Sequence, residues 1–143
     1  MPSHNYFTSS IGKKQITAVT GLGLLGFTAS HLAGNLLLLV GADTFNAYGH
    51  ALVTNPLIYV AEIGLVAIFL VHIAMAAVLT TQNIQARGKR YYVKRRTGRG
   101  ETIASMTMPY TGVVMLVFII LHLINFKYGA HYETTVDGVV MRD

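Results

Sequence analysis

Residues 16–40 read ITAVTGLGLLGFTASHLAGNLLLLV and contain no charged side chain. As an α-helix this run would be about 37 Å long at about 1.5 Å per residue, which exceeds the roughly 30 Å hydrocarbon thickness of a bilayer. His31 lies well inside it. An imidazole is costly within a membrane unless it has a partner, so such a residue is by default a functional candidate. The stretch therefore predicts a membrane-spanning helix that carries a functional histidine.

Two further apolar runs predict two more membrane spans. They cover about residues 57–80 and 106–126, and each contains one histidine, His72 or His122. The 143 residues are 52% hydrophobic and 12% charged and include no cysteine. This composition indicates an all-α integral membrane protein with a single domain, residues 1–143. It excludes disulfides and cysteine-ligated zinc or iron–sulfur centres within the chain.

The basic residues predict the orientation of the three spans. Lys13 and Lys14 precede the first span, seven basic residues lie in the loop 82–105, and residues 41–56 contain no Lys or Arg. By the positive-inside rule, the N-terminus and the basic loop are cytoplasmic, whereas the short loop 41–56 and a polar, loop-like tail 127–143 face outward. Tyrosines within the basic run also suggest a nucleic-acid patch. Membrane topology and contact with lipid head groups explain the charges better, so we expect no nucleic acid partner.

The three histidines fall at two depths. Counted from the cytoplasmic end of each span, His31 lies about 22 Å deep, His122 about 24 Å and His72 about 12 Å. His31 and His122 therefore share a depth on two helices that run in the same direction. Two imidazoles that face each other at one depth in a helix bundle meet the needs of a six-coordinate haem iron. Zinc fits less well, because no carboxylate or thiol accompanies either ring.

Several other residues are candidates for ligand binding or proton handling. Gly34 lies one turn from His31, where the absence of a side chain leaves room for another helix or a planar macrocycle. Glu62 is the one carboxylate within a span, and it is either an interfacial group or a proton carrier beside a quinone or haem. In the outer loop, Asn46, Tyr48 and His50 are candidate hydrogen-bond partners of haem propionates or a quinone, although loop polarity explains them almost as well.

The chain resembles the dihaem cytochrome b membrane anchor of the succinate dehydrogenase/fumarate reductase family, in its bacterial single-anchor form with five transmembrane helices. The resemblance covers nearly the whole chain and rests on short motifs in a defined order, each of them weak alone. They are SIGKK at residues 10–14, HLAGN at 31–35, FNAY at 45–48, NPL at 55–57, AEIG at 61–64, VHI at 71–73, YVKR at 92–95 and LHL at 121–123.

The resemblance implies two stacked b haems. His31 and His122 would be axial ligands of the distal haem and His72 one ligand of the proximal haem. The family's second proximal ligand lies on a fourth helix, so we expect either that the tail from Ala130 leads into a further span of a longer anchor or that another membrane protein supplies it. The resemblance also implies an iron–sulfur subunit and a flavoprotein subunit on the cytoplasmic face, quinone as substrate, and the bacterial inner membrane as location.

Two other functions agree with the same sequence. A small proton-coupled transporter would use the intramembrane histidines and Glu62 along a polar path and would contain no haem. A haem-free structural anchor would keep the topology and leave the histidines merely hydrogen-bonded. The shared depth of His31 and His122, with Gly34 beside His31, favours the electron-transfer anchor. Under each of these three functions, we expect no residue of this chain to carry out dicarboxylate chemistry or to bind a flavin.

Overall fold

A computed structural model describes residue 6, residues 9–86 and residues 102–142. Within these ranges the chain is mostly helical. Three helical segments are long and apolar enough to cross a membrane, and they comprise Ser10–Leu39, Leu57–Ala86 and Ile103–Lys127. The prediction of three apolar spans is confirmed at this level, and each observed segment extends past its predicted span at one end or both.

The first segment consists of helix α1, Ser10–Asn35, and a 3₁₀ turn, Leu36–Leu39. The side chain of Ser9 caps α1 by accepting a hydrogen bond from the backbone N–H of Gly12 at 3.0 Å. A serine that accepts from an otherwise unpaired amide is a typical helix start. The helix therefore begins six residues before the uncharged stretch 16–40, and it includes Lys13 and Lys14.

The segment predicted as an outer loop contains helix α2, Ala42–Val53. The expectation of a loop at residues 41–56 is therefore wrong for most of that segment. Asp43 lies in the first turn of α2, where a carboxylate interacts favourably with the positive end of the helix dipole. Helix α3, Leu57–Ala86, follows after Asn55, whose side-chain oxygen accepts from the backbone N–H of Leu57 at 3.0 Å.

Helix α4, Ile103–His122, begins with a reciprocal cap between Thr102 and Ser105. The side chain of each residue accepts from the backbone N–H of the other, at 3.0 and 3.1 Å. Because α4 begins before residue 106, Pro109 lies inside the helix and not in its first turn. A π-helical turn, Leu123–Lys127, continues the segment. The basic residues 87–99 of the predicted cytoplasmic loop lie outside the described ranges.

Residues 133–142 form a β-hairpin and not the loop that was expected of the tail. Strands β1, Glu133–Val136, and β2, Val139–Arg142, pair antiparallel with Val136 opposite Val139. Asp137 and Gly138 connect them with φ values of 52° and 80°. Two positive φ angles match the right-handed twist of hairpin strands, and Asp-Gly is a preferred sequence for that turn. The expectation of a loop-like tail is therefore wrong for residues 133–142. The expectation that the tail leads into a further span stays a prediction.

Replacing Gly138 by valine should unfold most of the hairpin. A β-branched residue in the left-handed region costs about 1–2 kcal/mol, and an isolated two-stranded hairpin is only marginally stable. We expect faster hydrogen exchange at the backbone amides of residues 133–142. Asp137→Asn is the matched control, because asparagine tolerates a positive φ. Unchanged protection in Gly138→Val would contradict the turn described here.

The chain divides into two compact units. The first comprises Met1–Gln82 together with Tyr132–Asp143, and the second comprises Asn83–His131. Within the first unit, α1 and α3 run antiparallel, because Gly21 approaches His72 while Gly23 approaches Ile68. The hairpin packs against α2 in the same unit. Among the described residues no apolar side chain is buried, so the apolar faces of all three long helices are exposed.

Candidate functional site

A shallow pocket lies between the C-terminal part of α1 and helix α2. Its volume is about 180 Å³ and its lining is mainly apolar. The lining residues are His31, Gly34, Asn35, Phe45, Tyr48, Gly49 and Leu52. On α2 these positions follow helical spacing, so one face of the helix supplies four of them. Three predicted site residues, His31, Gly34 and Tyr48, thus come together in one place.

His31 contacts two residues of its own helix. Its ring stacks on Phe27, one turn earlier, with centroids 5.3 Å apart and planes 19° apart. Asn35, one turn later, donates from Nδ2 to the backbone carbonyl of His31 at 2.8 Å. Neither Phe27 nor Asn35 was predicted as a site residue, although each lies four residues from the histidine, a spacing at which helical neighbours meet.

Gly34 and Tyr48 touch across the two helices. A Cβ atom placed on Gly34 would lie 2.8 Å from Tyr48 Cε1 and 3.0 Å from its hydroxyl oxygen. Glycine is therefore needed here for the close approach of an aromatic ring, in addition to any role beside a ligand. The predicted space next to Gly34 is occupied by Tyr48 in this structure.

Gly34→Ala should destabilise the contact between α1 and α2. The added methyl group forces the Tyr48 ring aside, and overpacking of this kind costs about 1–3 kcal/mol. Gly26→Ala is the matched control on the same helix, since a Cβ there meets no atom within 4 Å. Thermal unfolding in detergent should show Gly34→Ala to be the less stable of the two variants. The difference should vanish in a Tyr48→Ala background, and its persistence would contradict the contact.

Asn46 and His50 lie on α2 but do not line the pocket. They are four residues apart and so share a second face of the helix. Asn46 is buried, with 5% of its surface exposed, and His50 is half-buried. Asn46 is thus enclosed within the first unit. The structure therefore separates Asn46 and His50 from Tyr48, with which the sequence had grouped them.

Glu62 and His72 both lie on α3 and are half-buried. Neither lines the pocket beside His31. The ring of His72 lies against α1: its Nδ1 is 3.0 Å from Thr20 Oγ1, and a Cβ on Gly21 would lie 3.2 Å from its Cε1. Thr20 and Gly21 were not predicted as site residues. No local spacing would have found them, because Thr20 and His72 are 52 residues apart.

His122 belongs to the second unit and closes helix α4. Its ring lies between two aromatic neighbours on its own helical segment, Phe118 at 5.5 Å and Phe126 at 5.0 Å between centroids. Phe118 precedes His122 by four residues, as Phe27 precedes His31. The repeated Phe-x-x-x-His spacing is visible in the sequence and would have identified both stacked pairs. The pairing of His31 with His122 at one haem stays a prediction.

Within residues 9–86 and 102–142, no group of three or more His, Cys, Asp or Glu side chains is arranged to hold a metal ion. Comparison with known proteins adds no assignment. No family model, curated protein or solved structure matches the chain. A functional assignment therefore depends on the chain's own residues and on the motifs quoted above.

Proposed function

We propose that the chain is a haem b-containing membrane anchor of a succinate:quinone oxidoreductase, in which it passes electrons between an iron–sulfur subunit and membrane quinone. One observation carries the proposal: each of the three apolar helical segments contains a single histidine, His31, His72 or His122. Imidazole is expensive in a membrane and is a common axial ligand of haem iron. The ordered motifs of the dihaem anchor family support the same function.

The residues around His31 fit one side of a haem site. The pocket wall is mostly apolar, and the imidazole at its edge is held by an aromatic ring. At about 180 Å³ the pocket is smaller than the roughly 300–1,000 Å³ of a complete small-molecule site, so α1 and α2 would supply only part of the enclosure. His122, with its two aromatic neighbours, offers a second imidazole of the same local construction.

When bound, haem would supply one-electron redox chemistry that no side chain of this protein provides. His31, His122 and His72 would be ligands of haem iron. The aromatic rings beside His31 and His122 would limit the rotation of these two imidazoles. The apolar lining of the pocket would exclude water and so influence the redox potential through burial. The protein's contribution is thus binding, orientation and tuning, with no dicarboxylate active site in this chain.

The orientation belongs to the same proposal. The N-terminus and the basic residues between α3 and α4 would face the cytoplasm, where they would contact the iron–sulfur and flavoprotein subunits and anionic lipid. Helix α2 and the hairpin would then lie on the outer side of a bacterial inner membrane. Further helices, from another membrane protein or a longer chain, would complete the bundle and supply the ligand opposite His72.

Because the chain has no cysteine, single cysteine substitutions report its topology cleanly. Asp43→Cys, in the first turn of α2, should react with a membrane-impermeant maleimide added to intact cells. Gln82→Cys, near the end of α3, should react only after the membrane is opened. The reverse pattern would overturn the proposed orientation, and labelling of both sites in intact cells would contradict a membrane span between them.

The decisive test of the function is a dithionite-reduced minus oxidised absorption spectrum of the purified membrane complex, with haem quantified as the pyridine haemochrome. Two b haems per chain are expected. One haem would restrict the site to His31 and His122 and would leave His72 as a packing residue. No haem would reject the cytochrome and favour a haem-free anchor or a proton-coupled transporter. A transporter would use half-buried Glu62 and should acidify proteoliposomes in a Glu62-dependent manner.

A further inference from the structure

His72 is attached to helix α1 through one edge of its ring. Its Nδ1 lies 3.0 Å from Thr20 Oγ1, and its Cε1 approaches the backbone at Gly21. Any side chain at position 21 would crowd this contact, since a Cβ would lie 3.2 Å from Cε1. Because residue 21 is glycine, the imidazole of His72 can reach the hydroxyl of Thr20.

The other contacts of Thr20 favour one direction for the hydrogen bond between its hydroxyl and His72. Its hydroxyl lies 2.7 Å from the carbonyl oxygen of Ile16 and 3.1 Å from that of Thr17, and a carbonyl can only accept. Threonine hydroxyls in helices commonly donate to the carbonyl one turn back. A hydroxyl has a single proton, so a hydroxyl that donates to Ile16 presents lone pairs to His72. This arrangement favours a bond that runs from Nδ1–H to Thr20 Oγ1.

We propose that Thr20 is a positioning residue for His72 that places the ring proton on Nδ1 and leaves Nε2 unprotonated. In a neutral imidazole the proton on one nitrogen leaves the other as the electron-pair donor. Histidine ligands of metals usually donate their second N–H to such a partner, which determines both the tautomer and the ring orientation. The inference rests on the proposed function where it concerns iron, whereas the tautomer itself is a property of this chain alone.

The hydrogen bond should also affect the redox potential of the haem bound by His72. A ligand that donates its Nδ1–H becomes a stronger base at Nε2 and stabilises ferric iron relative to ferrous iron. Loss of the acceptor should therefore raise the midpoint potential. If the equilibrium constant between ferric and ferrous haem changes by up to tenfold, the midpoint potential rises by up to about 59 mV for a one-electron couple.

The test compares Thr20→Val, which removes the hydroxyl at nearly constant shape, with Thr20→Ser, which retains it. Redox titration of the purified membrane complex should show a higher midpoint potential in Thr20→Val for the haem that is lost in His72→Ala. The other haem should keep its potential, and Thr20→Ser should match the wild type. An unchanged potential in Thr20→Val, or an equal shift in both variants, would overturn the proposal.

A second readout needs no haem. ¹⁵N NMR of the full, histidine-labelled chain in lipid, prepared without haem, should show His72 protonated at Nδ1, with the signal assigned from a His72→Gln sample. Thr20→Val should lose this preference and Thr20→Ser should keep it. If the complex contains no haem, the proposed function fails while this spectrum still tests Thr20. If the wild type is protonated at Nε2, the role of Thr20 is rejected even in a haem-containing complex.

Discussion

His31→Ala is expected to remove one b haem from the complex and to leave the second in place. Under the proposed function, His31 and His122 are the two axial ligands of the same iron, and methyl in place of imidazole leaves that iron with a single protein ligand. The pyridine haemochrome should fall to about half, and the redox titration should lose one component. Quinone reduction by succinate should fall at least about 10-fold, since even the loss of an outer-shell partner of a metal ligand typically costs about 10- to 100-fold in metal affinity or activity.

His122→Ala should reproduce the phenotype of His31→Ala, because the two variants break the same site from opposite helices. His131→Ala serves as the matched control, since His131 lies outside the three apolar segments and is exposed. Equal loss of both haems in His31→Ala, with the complex otherwise assembled, would contradict the assignment of His31 and His122 to one iron. Loss of different haems in the two variants would contradict it as well.

His72→Ala is expected to have the reciprocal effect: the haem retained in His31→Ala disappears and the other remains. His72 lies on α3 and contacts α1 through Thr20, away from the pocket that His31 lines. The two sites should therefore be separable by mutation. Electron transfer from the iron–sulfur subunit should fall at least as strongly as in His31→Ala, because the shallower haem would lie nearer the cytoplasmic partner.

Two observations would contradict the role of His72. Retention of both haems in His72→Ala would make it a packing residue whose imidazole simply bonds to Thr20. Loss of both haems would mean that the two sites do not form independently. His72→Gln separates a structural effect from a ligand effect, because it retains a hydrogen-bonding side chain at the position. It should lose the haem as His72→Ala does, with less effect on thermal stability.

The three long helices could be predicted because an apolar run of sufficient length has few other stable structures in a membrane. Their ends could not be predicted equally well, since caps such as Ser9 and the Thr102–Ser105 pair extend a helix into polar sequence. Helix α2 was missed because its Asn, Tyr, Gly and His residues are typical of loops, and tertiary contacts override such weak propensities. The hairpin was missed although Asp137-Gly138 is a strong local turn signal.

Part of the candidate site could be predicted from the sequence. Histidines within apolar runs stand out because their burial is expensive, so His31, His72 and His122 could be identified from the sequence alone. The contact of Gly34 with Tyr48 and the bond between Thr20 and His72 could not, because each joins two helices whose packing no periodicity specifies. The placement of Asn46 and Tyr48 on different faces could not be predicted either, because neighbouring positions face different directions once residues 42–53 form a helix. Their hydrogen bonds to a haem or a quinone stay a prediction.

The exposed apolar faces of the three long helices affect how long the protein survives in a cell. No apolar side chain in the described ranges is buried, so these residues form little hydrophobic core of their own. Under the proposed function, lipid and neighbouring helices would cover these faces, and a partner that binds only the folded form stabilises it more as the partner's concentration rises. Copies made in excess of their partners should be degraded by membrane proteases. The amount of this protein should therefore follow the synthesis rate of the scarcest partner and not that of its own gene.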